Sequence, residues 1–136
     1  MFHIDESQSP ILVIYFDGPM SLEATHKLLV YLDQQLDAAV SFGLVMVSNN
    51  EAQHQKGAAK AQKQWLQANR SRMGATCRGI AVVTQSSKFI TLYKPIANQM
   101  IQRMYHCPGR LFTDLGEAQA WLRGQLGQST EVGTNA

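Results

Sequence analysis

The sequence predicts an α/β fold of the order βαβαβαβα. A mainly parallel four-stranded sheet carries helices packed on it, and Phe2-His3-Ile4 can add an N-terminal edge strand. Three observations predict this. Short apolar runs of strand length recur along the chain; between them, apolar residues repeat at helical spacing. Clusters of Gly, Pro, Ser and Asn separate the two kinds of segment. Four such alternations imply parallel strands joined by right-handed crossovers. With 136 residues, 45% of them apolar, the chain can bury one core without disulfides or metal.

Ile11-Leu12-Val13-Ile14-Tyr15-Phe16 has the composition of a strand buried on both faces. Asp17-Gly18-Pro19 turns the chain, and Ser21 stands where an N-cap hydroxyl is needed. The first helix then turns Leu28, Leu29, Leu32, Leu36, Ala39 and Val40 inward and ends near Phe42-Gly43, with Gly43 as its C′ residue. Leu44-Val45-Met46-Val47 is the second strand. A second helix is expected over residues 52–73, with Ala58, Ala61, Trp65, Ala68 and Met73 as its apolar stripe and Gly74 closing it. Gly79-Ile80-Ala81-Val82-Val83 is the third strand. Pro95 cannot sit unperturbed inside a helix, so the third helical region divides there. It becomes a short turn over 87–93, then a helix with Ile96, Met100 and Met104 on one face, widened by Ile101 and Tyr105, and ended by Cys107-Pro108-Gly109. Core packing is the usual fate of such a stripe. Leu111-Phe112-Thr113 is the fourth strand. Residues 117–126 form the last helix, with Ala118, Trp121, Leu122 and Leu126 inward. Residues 1–127 thus read as one domain, and the patternless 128–136 as a frayed tail.

Charge is segregated along the chain. Between Ala52 and Thr113 there is no acid, whereas Lys56, Lys60, Lys63, Arg70, Arg72, Arg78, Lys88, Lys94, Arg103 and Arg110 all fall there. The flanks hold all ten acids and only Lys27 and Arg123. Such asymmetry bears on partners rather than on fold. Lys56, Lys60, Lys63, Gln67 and Arg70 lie four and three residues apart, along one side of a helix. Like charges so spaced repel by roughly 0.2–0.5 kcal/mol per pair. A solvated face is the ordinary explanation; a stripe without opposing acids also suits an acidic partner, a protein surface or a second copy of the chain. Nucleic acid fits less well, because no stacking aromatics interleave the cations.

Three stretches carry a family resemblance. They are the apolar strand followed by Asp17-Gly18-Pro19-Met20-Ser21 and a Leu-rich helix; Arg78-Gly79-Ile80-Ala81-Val82-Val83 after a basic helix; and Arg110-Leu111-Phe112-Thr113-Asp114 followed by Glu117-Ala118-Gln119-Ala120-Trp121-Leu122. In these the chain resembles the STAS/SpoIIAA-like group of small bacterial α/β domains. The resemblance implies a regulatory or binding role without catalysis. It also implies a phosphorylatable Ser in a turn after an internal strand, but the corresponding Ser48-Asn49-Asn50-Glu51 lacks the preceding Asp and the following Gly. The group borders on lipid-binding domains, which admits an apolar ligand.

Parallel sheets place ligand crevices beyond the carboxyl ends of their strands. Ser48 and Asn49 lie at one such end, and Ser86, Ser87 and Lys88 at another; free N–H groups at helix starts there favour anions, though ordinary capping uses the same residue types. For an apolar ligand, Phe89, Tyr93, Ile96, Met100 and Met104 would line the region under the Pro95 break, where methionine adapts its shape. His3, His26, His54 and His106 have no metal-ligand spacing with one another or with Cys77 and Cys107, so no metal or other cofactor is expected. Each cysteine precedes a strand; if those strands are neighbours the thiols share one end of the sheet, as free thiols in a reducing compartment. No dinucleotide, P-loop, zincin or nucleophile-elbow motif is present. The start lacks the charged and apolar regions of a secretory signal, which points to the cytoplasm, and no apolar run suits membrane insertion. The expectation is therefore a binding or regulatory module that contacts an acidic protein through its basic helix. A carrier of a small apolar ligand stands as the alternative, and an enzyme with a site at the strand ends as a further one.

Overall fold

A computed structural model of the protein describes residues 2–48 and 57–127. Its five strands are β1 (Phe2–Asp5), β2 (Ile11–Phe16), β3 (Phe42–Ser48), β4 (Cys77–Thr84) and β5 (Gly109–Phe112), hydrogen-bonded in sequence order. β1 is antiparallel to β2, and the other three pairs are parallel. The described helices are α1 (Leu22–Asp37), α2 (Ala58–Ala68), α3 (Arg70–Thr76), α4 (Ser87–Tyr93), α5 (Ala97–Tyr105) and α6 (Leu115–Gln125), and a 3₁₀ turn over Lys94–Ile96 leads into α5. The expected α/β class and parallel sheet are present, with the N-terminal edge strand in place.

The pleat divides each central strand between two cores. Leu12, Ile14, Leu44 and Ile80 join Leu28, Leu29, Leu32 and Leu36 of α1, Met73 of α3 and Ile101 of α5. Ile11, Val13, Val45, Ala81 and Val83 point the other way, onto Ala118 and Leu122 of α6. Among the described residues the second face is thus covered by one helix. Its seat is made by two glycines: a Cβ on Gly43 would lie 2.9 Å from Leu122 Cδ2, and one on Gly79 would lie 3.0 Å from the same atom.

Several expected boundaries move, each for a local reason. Gly43 does not cap α1; it is a β3 residue that lets Leu122 approach. α1 stops at Asp37, Ala39 takes the left-handed conformation at φ 57°, and Val40 is exposed rather than core. The expected second helix is divided. Its residues 52–56 lie outside the described residues, and Asn69 separates α2 from α3, its Nδ2 donating to the Trp65 carbonyl at 2.9 Å. An amide side chain that takes a helix carbonyl competes with the backbone ladder. Gly74 lies inside α3 and Ala68 is exposed; of the expected stripe Ala58 and Met73 are buried, and Leu66, outside it, is buried as well. α6 keeps the expected inward set, with Ser21 and Asp114 capping α1 and α6 at 3.0 and 2.9 Å.

Candidate functional site

The cations of α2 and α3 fall into two groups. Arg72 reaches α1, with its guanidinium 3.0 Å from an Asp33 carboxylate oxygen and 2.6 Å from one of Asp37, and it also donates to Asn69 Oδ1 at 2.8 Å. This pairing docks α3 on the acidic side of α1; exposed pairs of this kind contribute at most about 1 kcal/mol. Lys60, Lys63 and Arg70 are exposed, and among the described residues no carboxylate pairs with them. Gln67 is exposed between Lys63 and Arg70. Lys56 lies outside the described residues.

The helix after Pro95 stands beside this basic surface, on the same side of the sheet. Gln62 of α2 donates to the Tyr105 hydroxyl of α5 at 2.9 Å. The apolar residues of α5, with Ile96 just before it, separate into two stripes. Ala97 and Ile101 are buried, whereas Ile96, Met100 and Met104 are 44%, 43% and 52% exposed. The two sets are one residue apart, which is about 100° around a helix. Core packing of the Ile96, Met100 and Met104 stripe, the usual fate of such a pattern, is therefore corrected: Ile101 anchors the helix and the methionines face out. Leu92 of α4 is also exposed, at 59%. Phe89 and Tyr93 are half-buried, with ring centroids 4.8 Å apart. An apolar stripe of this kind flanked by cations is unlike an ordinary solvated face.

At the carboxyl ends of the strands, Ser48 pairs in register with Thr84. Thr84 is buried and its hydroxyl accepts from the Ser86 N–H at 3.2 Å. The Ser86 hydroxyl in turn accepts from the Phe89 N–H at 3.2 Å, as the N-cap of α4. Ser87 and Lys88 are exposed, and Asn49 lies outside the described residues. Ser86 is thus engaged as a helix cap, the ordinary use of serine at that position.

Cys77 and Cys107 come together, as neighbouring β4 and β5 require. Both are buried free thiols, with Sγ atoms 3.6 Å apart. The adjacent Cys77 sulfur and burial raise the Cys107 thiol well above its ordinary range, the opposite of what activates a nucleophilic thiol. Among the described residues no three His, Cys, Asp or Glu side chains gather as a metal site, and no helix is long and apolar enough to cross a membrane.

Burial pushes the Tyr105 hydroxyl up to about 12, with the Gln62 hydrogen bond acting in the opposite direction. An unfolded tyrosine ionises near pH 10. Above that pH the unfolded state loses a proton that the folded state keeps, so folding stability decreases from about pH 10 until Tyr105 itself ionises near 12. Tyr105→Phe should reduce the slope of this part of the pH profile, read from chemical denaturation at pH 8, 10 and 11.5; the remainder comes from Tyr31, whose hydroxyl is also raised by burial and by its hydrogen bond to Glu6. A profile of equal slope in the variant would remove Tyr105 as its cause.

No protein-family model matches the chain, and no curated protein matches it in sequence. A crystal structure of an uncharacterised protein of the DUF3478 family from Shewanella loihica PV-4, described as having a SpoIIAA-like fold, is similar. It superposes with a TM-score of 0.62 at 17% identity, over 90% of this chain and 92% of that one. The chain has the SpoIIAA-like fold.

Proposed function

We propose that the protein is a non-catalytic binding module of the SpoIIAA-like type that engages an acidic protein partner on the surface made by α2, the start of α3 and α5. One observation carries the reading: Lys60, Lys63 and Arg70, which no carboxylate pairs with among the described residues, lie on the side of the sheet where Ile96, Met100 and Met104 face outward. Cations steer an acidic partner and fix its orientation, and desolvation of an adaptable methionine surface supplies affinity. The SpoIIAA-like fold supports a binding role only by analogy.

The test is affinity capture with the wild-type chain and with Lys60→Glu/Lys63→Glu, identifying retained proteins by mass spectrometry. Replacing attraction by repulsion at two exposed positions should reduce capture of acidic partners by roughly tenfold or more. An unchanged capture profile would reject the surface. A second copy as the occupant would appear instead as a concentration-dependent mass that the double substitution abolishes.

A further inference from the structure

We infer a second binding site, away from the basic helix: the outer edge of β5 accepts an extended acidic peptide as an added strand. β5 ends the sheet, and among the described residues no strand lies on its outer side. The phase of its hydrogen bonds follows from its partner. Ile80 donates its N–H to the Pro108 carbonyl at 2.9 Å and is level with Gly109. In a parallel ladder a residue bonds to the two neighbours of its partner, so the main-chain groups of Arg110 face β4 and those of Gly109 and Leu111 face outward. The Gly109 N–H is taken by Asn98 Oδ1 at 3.0 Å. The Gly109 carbonyl and both main-chain groups of Leu111 remain, and among the described residues no hydrogen bond reaches them from the outer side.

These groups are recessed. Gly109 and Leu111 are buried at the floor of a groove of about 440 Å³. One wall is Asn98 and Gln102 of α5 with Lys94 before them, and the other is Trp121 of α6. Buried main-chain groups normally have partners, and an unpaired strand edge is a template for another chain. The walls on both sides distinguish this edge from one that is merely short and charged. They offer alternate side chains of an added strand separate places, above and below the sheet. None of the lining residues is acidic, and Lys94 and Arg110 are both exposed there. Arg110 lies over the Phe112 ring at 5.5 Å, on the Trp121 side. The occupant that fits is an extended segment of a partner protein that alternates carboxylates with small β-branched residues. A second β5 edge does not fit, since it would bring Arg110 against Arg110.

The probe is a fluorescein-labelled peptide of about six residues, a typical strand length, alternating aspartate with valine. Its binding is read by anisotropy and by amide chemical shifts of the isotopically labelled full chain. The same peptide N-methylated at alternate amides keeps its charge but cannot extend the ladder, and it leaves the protein unaltered. The expected result is binding that shifts the Leu111 and Gln102 resonances and weakens about tenfold or more on N-methylation, and also weakens with Arg110→Glu. Binding that ignores N-methylation and shifts Lys60 and Lys63 instead would overturn the edge site while leaving the basic surface in place. Absence of binding would overturn it as well.

Discussion

Leu122→Ala is expected to lower stability by about 2–5 kcal/mol, the range for deleting a fully buried leucine. Leu122 is 0% exposed and is the residue of α6 seated between Gly43 and Gly79. Among the described residues one helix covers this face of the sheet, so none of the other described helices is placed to fill the space. Against the roughly 5–15 kcal/mol available to a domain, the loss is large, and Tm should fall by on the order of 10 °C. A double-mutant cycle identifies the cause. Gly43→Ala in the parent places a methyl 2.9 Å from Leu122 Cδ2 and should destabilise; in the Leu122→Ala background the same methyl enters vacated space. The cost of Gly43→Ala should therefore shrink or change sign in that background. Equal costs in both backgrounds would mean that the glycine serves some other need.

Gly109→Ala has the second large effect. A Cβ at Gly109 would meet Ile101 Cβ and Cγ2, both at 2.3 Å, and these atoms sit at the root of the side chain where no rotamer change can clear them. The backbone of β5 or the axis of α5 must move. Overpacking of this kind costs about 1–3 kcal/mol and sometimes more. Ile101→Gly alone opens a cavity, but Gly109→Ala/Ile101→Gly, which removes the Cβ as well as the rest of the side chain, should recover part of the loss from the first substitution. Thermal unfolding of the three variants checks this, and a double variant no more stable than the sum of the singles would contradict the contact.

The strands were legible in the sequence because a buried parallel strand is a short continuous apolar run. β2 is found at Ile11–Phe16, as the run itself indicates, and β1 lies where its hairpin was expected. Sequence order in the sheet follows from short right-handed connections. The face of α5 was not legible. Two apolar stripes one residue apart, Ile96/Met100/Met104 and Ala97/Ile101, have the same spacing, and packing against β5, where Ile101 meets Gly109, decides that the second is buried. The break at Asn69 was missed because asparagine inside a helix is only mildly unfavourable; what ends α2 is the particular bond to Trp65. The charge pattern was visible, but its division was not. Arg72 is matched by Asp33 and Asp37 because α3 happens to lie against α1, a tertiary fact, whereas among the described residues no carboxylate pairs with Lys60, Lys63 or Arg70. The groove on the β5 edge depends on which strand is last and on helices from both faces meeting there, which no local pattern encodes.

The central claim is that an acidic partner surface docks over α2, the start of α3 and α5, and not over the exposed back of α6. The most direct measurement is photo-crosslinking from a benzophenone side chain placed at Gln67, exposed between Lys63 and Arg70, compared with one at Ala120, exposed on α6 across the sheet. The screening length falls from about 10 Å at 0.1 M salt to about 3 Å at 1 M, so an electrostatic contact should weaken steeply over that range. Adducts with acidic segments should form from position 67 at low salt, fade at high salt, and be absent from position 120. Adducts of equal yield from both positions, or adducts from 67 indifferent to salt, would contradict the proposed docking surface.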